Sequence, residues 1–73
     1  DVKAIYDRLK LISKNDWSKI FDLGEQTKIF DNLELANLKS VQKSISKSET
    51  VKEVNIVNAL KSIKKLTKFG LKF

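Results

Sequence analysis

Residues 50–73 read TVKEVNIVNALKSIKKLTKFGLKF. Ile56, Ala59, Leu60, Ile63 and Leu66 fall at i, i+3, i+4, i+7 and i+10. That is one stripe of a helix, not the two-residue alternation of a strand. Thr50 and Glu53 have the T-x-x-E spacing of a capping box. Gly70 stands where a left-handed C-terminal cap belongs, and the late lysines suit the negative end of the helix dipole. The spacing predicts a helix from Val51 to about Lys68. Val51, Val54, Val57 and Phe69 fall off the main stripe, so this helix is apolar on more than one side. Two readings follow: it is the central helix of a bundle, or its second face packs against another part of a larger protein.

The helical period continues upstream. Val2, Ile5, Tyr6, Leu9 and Ile12 place a first helix over about Val2 to Ser13. Asn15 or Asp16 is suited to cap a second, from about Trp17 to Thr27, in which Trp17, Ile20, Phe21 and Gly24 share a face. Glycine inside a helix costs about 1 kcal/mol relative to alanine, so Gly24 is expected to permit close packing or to end the helix early. Lys28-Ile29-Phe30 reads as a connection whose two large apolar residues plug the core. Asp31 or Asn32 caps a third helix running to about Lys47, with Leu35, Leu38, Val41 and Ile45 as its buried stripe. Ser46 to Glu49 is a polar turn. With no Pro and only Gly24 and Gly70, breakers are few. Short connections favour antiparallel neighbours. The expectation is an all-α fold, a compact bundle of four helices forming one domain over residues 1–73. Its expected core is Ile5, Leu9, Trp17, Ile20, Phe21, Phe30, Leu38, Val41, Ile56, Leu60 and Ile63.

Composition removes whole classes of chemistry. The chain has no Cys, which excludes disulfides, zinc fingers, iron–sulfur sites and dithiol redox motifs. It has no His, the commonest general base and metal ligand. Asp16, Asp22, Glu25 and Asp31 gather in or beside the second helix, but two suit caps and two sit beside Lys19 and Lys28. No nucleophile–base–orienter set can be named, so no catalytic role is expected, nor a metal, cofactor or small-molecule substrate. No apolar run approaches the ~18 residues of a membrane-spanning helix. With no Met, the chain is expected to be a fragment of a larger protein; the expected location is cytoplasmic.

Charge is uneven. Residues 1–37 carry a net −1 and residues 38–73 a net +7, which together give the formal +6. Lys39, Lys43 and Lys47 recur every four residues along the third helix, and Lys61, Lys64, Lys65 and Lys68 lie opposite the apolar face of the fourth. These seven lysines are the candidate nucleic-acid-binding residues. Neutralised phosphates release counterions, which makes such binding salt-dependent. The bland alternative is a solvated face in a lysine-biased sequence. Sequence-specific reading of bases is not expected, because Arg8 is the only arginine and lies in the less basic half. The second candidate partner is another domain or subunit, met by Val51, Val54, Val57 and Phe69. The C-terminal KKLTKFGLKF also has the basic and apolar clustering of interfacial helices, with Leu66, Phe69, Leu71 and Phe73 as inserting residues. A membrane role is disfavoured against Leu66 lying in the core and the last residues covering the base of the bundle.

Two stretches carry a family resemblance: Trp17-x-x-Ile20-Phe21-x-Leu23-Gly24-x-x-Thr27 followed by Ile29-Phe30, and Ile56-x-x-Ala59-Leu60-x-x-Ile63-x-x-Leu66-x-x-x-Gly70. From Trp17 to Gly70 the chain resembles the small helical segment that closes some bacterial phage-defence proteins, including the abortive-infection AIPR class and helicase-like restriction proteins. It departs from that pattern at Leu23, in place of a second tryptophan, at Lys28, in place of a glycine, and at Leu71, in place of a phenylalanine. The resemblance implies an accessory domain of a nucleic-acid-directed protein and brings no catalytic residues with it.

Overall fold

The computed structural model describes all 73 residues as four α-helices: α1 (Val2–Lys10), α2 (Lys14–Thr27), α3 (Asn32–Ser46) and α4 (Glu53–Lys65), the last extended by a 3-10 segment (Leu66–Phe69). There is no strand. α4 is the central helix. α1 and α3 both pack on it, and α2 packs on its 3-10 extension. Its main stripe, the half-buried Leu60 apart, is buried among these neighbours, whereas of the residues off that stripe only Val51 packs on the core. The Cα radius of gyration is 11.3 Å, close to the ~11 Å expected of a folded chain this long.

Helix boundaries are set by capping chemistry. α1 ends three residues short of Ser13, because Ser13 begins α2 instead: its hydroxyl accepts the Asp16 N–H at 3.1 Å. Neither Asn15 nor Asp16 is the cap, and α2 starts at Lys14 rather than Trp17. Asp31 does cap α3, through a reciprocal box: the Glu34 N–H donates to Asp31 Oδ1 at 2.7 Å, and the Asp31 N–H donates to Glu34 Oε1 at 3.1 Å. The box expected of Thr50 and Glu53 does not form. Lys52 occupies the cap position without a side-chain bond, so Glu53 is the first helical residue and cannot reach back. α3 and the 3-10 segment end in Schellman turns through Ser48 (φ 56°) and Gly70 (φ 96°). In the first, Glu49 N–H donates to the Ser44 carbonyl; in the second, Leu71 N–H donates to that of Leu66.

The core is Leu9, Trp17, Ile20, Leu38, Val41, Ile56, Ala59, Ile63 and Leu66. Ile5, Phe21, Phe30 and Leu60, expected inside, are half-buried. Ala59 and Leu66 take their places because the central helix is enclosed where α1, α3 and its own extension converge. Gly24 does not end α2. It is buried, and the Phe30 ring lies where its Cβ would be. The accessible surface is 5179 Å², so folding hides roughly 57% of the extended chain's surface. With 11 of 73 residues buried, each one carries a large share of stability.

Candidate nucleic-acid interface

All seven candidate lysines are exposed, but they do not form one face. α3 divides them. Lys39 and Lys43 face the α2 side of that helix, and Lys47 is its C-cap. Lys61 and Lys65 line a groove on the other side, between α3 and α4, together with Leu33, Asn37, Asn58 and Ser62. Lys64 and Lys68 stand on the outer surface of α4 and its extension.

Glu34 organises the α3/α4 groove. It accepts hydrogen bonds from Lys65 and, at 3.4 Å, from buried Ser62, while still serving the α3 cap. Its carboxyl is held below its ordinary range, first by the hydrogen bond from Lys65 and then by the Asp31 N–H, with desolvation opposing. Glu34–Lys65 is the one salt bridge in the molecule. Nearby, Asn37 Nδ2 donates to the Asn55 carbonyl at 3.1 Å, which ties α3 to α4. Asn55 is half-buried there, and Asn58 remains exposed.

On the α2 side, lysines join from the half of the chain whose net charge is negative. Lys28 lies with Lys39 around a hollow of about 450 Å³ that also contains Glu25. Lys10 and Lys14 lie with Lys43 around one of about 480 Å³. Its floor is Ile12, Trp17 and Ile45, and Gln42 and Ser46 complete its wall. Sequence reasoning missed Lys10, Lys14 and Lys28. The available signal was that Lys10 and Lys14 bracket the α1–α2 turn, where the chain reverses toward α3. The largest hollow, about 540 Å³, is lined by Asp1, Glu49 and Glu53 along with Lys3 and Tyr6. No group of three or more carboxylates comes together to hold a metal ion.

The candidate docking residues are also scattered. Val54 (60% exposed) and Phe69 (47%) are on the surface, Val57 is half-buried, and Val51 packs on the core. Val54 opens α4 and Phe69 closes its extension beside Lys19 and Leu23 of α2, roughly 20 Å along the axis. The tail is used by the fold: Leu66 is fully buried, Leu71 and Phe73 pack on the core, and the Arg8 guanidinium lies 4.4 Å from the centre of the Phe73 ring. No helix is long and apolar enough to cross a membrane. No family model, curated protein or solved structure matches the chain.

Proposed function

We propose that this is a non-catalytic helical domain that contacts nucleic-acid phosphates through lysines, with little sequence specificity. The observation that supports this reading is uncompensated charge. Against a formal +6, the molecule holds one salt bridge, and six of the seven candidate lysines have no carboxylate within ion-pair reach. Arg8, the only arginine and so the only side chain for the commonest bidentate reading of guanine, lies over the Phe73 ring. The resemblance to the closing segments of phage-defence proteins agrees with an accessory role of this kind in a larger cytoplasmic protein. The test is fluorescence anisotropy with labelled duplex DNA, single-stranded DNA and RNA across a salt series. Binding with a steep salt slope and little sequence preference supports the reading. Absence of binding to all three at low salt overturns it.

A second reading, docking to a protein, is favoured by Val54 and Val57, adjacent on one turn of α4 and not enclosed. Light scattering tests its self-associating form. A strict monomer at high concentration, unchanged by Val54→Lys, removes that form.

A further inference from the structure

We infer that the hollow bounded by Lys10, Lys14 and Lys43 is the seat for an unpaired nucleotide of a single-stranded nucleic acid. The inference rests on the phosphate-binding reading above and assigns it a place. Five hollows mark the surface, and four of them contain a carboxylate. Glu25 stands beside Lys28 and Lys39, Glu34 beside Lys61 and Lys65, and Asp22 beside Lys19. Only the hollow at the α1–α2 corner presents cations without an acid.

Its three lysines arrive from three helices. Lys10 ends α1, Lys14 begins α2, and Lys43 lies in the last turn of α3. Their convergence is therefore tertiary and held by the core beneath. Lys43 and Lys14 have no ionic partner, and Lys10 makes only a loose contact, 5.6 Å from the centre of the Tyr6 ring. The remaining lining matches the rest of a nucleotide. Trp17 and its isoleucine neighbours give an apolar floor. The Gln42 amide can both donate and accept at a base edge, and the Ser46 hydroxyl, which donates to the Lys43 carbonyl at 2.8 Å, keeps lone pairs free. A volume of about 480 Å³ is in the range of small-molecule sites. A concave site of this size, about 480 Å³, fits one nucleotide free of its pair rather than the two backbones of a duplex. Trp17 is 4% exposed, so it offers no stacking face, and any base preference falls to the Gln42 amide.

The experiment uses two variants of equal net charge, K10Q/K14Q/K43Q and K61Q/K64Q/K68Q, each three charges below the wild type. Binding of a labelled oligo(dT) is read by anisotropy, and Trp17, the only tryptophan, reports on the hollow itself. Circular dichroism verifies that both variants are folded. The expected result is a Trp17 emission change on binding, with at least about tenfold loss of affinity in the first variant and a smaller loss in the second. Equal losses, or wild-type binding that leaves Trp17 emission unchanged, overturn the hollow as the seat while leaving phosphate binding in place. No binding by the wild type overturns both. Thymidine monophosphate that saturates the Trp17 response at lower concentration than oligo(dT), counted per site, would assign the hollow to a free nucleotide and overturn the strand.

Discussion

The ring of Phe30 lies across Gly24: a methyl group added at Gly24 would stand 2.5 Å from both Cδ2 and Cε2. The connection between α2 and α3 thus returns over the helix it has just left, and the missing side chain makes room for it. Gly24→Ala gains about 1 kcal/mol of helix propensity but forces a half-buried ring out of its site. The net expected effect is a loss of about 1–2 kcal/mol in urea unfolding. With Phe30→Leu in the same chain, the two losses should be clearly less than additive, because the clash disappears. Additive losses would mean that the ring does not rest on the glycine.

Glu34 predicts a pH dependence. Its carboxyl titrates below the ordinary value of 4.5 in the folded protein. A group with a depressed folded pKa contributes stability above its unfolded pKa, and that contribution is lost as pH falls through the lower folded value. As pH falls below the ordinary value of 4.5, wild type should therefore lose stability more steeply than Glu34→Gln. At neutral pH the variant should be less stable by about 1 kcal/mol or less, since the Lys65 side chain is 43% exposed and its ion pair is screened. Parallel pH profiles of the urea midpoint would show that the pair contributes nothing measurable.

Capping residues should separate by role rather than by type. Ser13→Ala removes the acceptor for the Asp16 N–H and should cost about 1 kcal/mol. Thr50→Ala removes a hydroxyl that caps nothing and should fall within about 0.5 kcal/mol of wild type. The comparison is made by thermal unfolding at one protein concentration.

Lys28 adopts φ 54°, the left-handed conformation that ends α2. A side chain there is strained. Lys28→Gly should stabilise the fold by about 0.5–1 kcal/mol, the relief of strain exceeding the entropy that glycine loses. A drop in the unfolding midpoint would contradict this.

Deep and shallow apolar positions should differ sharply. Leu9→Ala and Leu66→Ala empty fully buried sites and should each cost about 2–5 kcal/mol. That is enough to unfold a large fraction of so small a domain. Leu11, 84% exposed in the α1–α2 turn, should tolerate serine with almost no change in circular dichroism or unfolding midpoint.

The four helices were legible because periodicity is a local property: each apolar stripe, Leu9 and Ile56 to Leu66 among them, sits within one segment. The boundaries were less so. Ser13, Asn15 and Asp16 compete for one cap within four residues, and which wins depends on where the chain must turn. The Thr50/Glu53 spacing met the chemistry of a box but not the register of the helix that formed. The lysine pattern was legible along α3 and α4 as rows. What brings Lys10 and Lys14 to Lys43 is the packing of α1, α2 and α3 around α4, and a charge count by chain halves cannot contain it.

The centrality of α4 also sets the order in which this chain can fold as it is made. α1 has nine residues, too few to hold a helix by itself, and its main support is α4. α2 leans on the 3-10 segment that follows α4. During synthesis α1 and α2 therefore leave the ribosome before the segments they chiefly pack on, and their contacts are completed only when residues 53–69 follow. The C-terminal third is the part of the domain on which the other helices close.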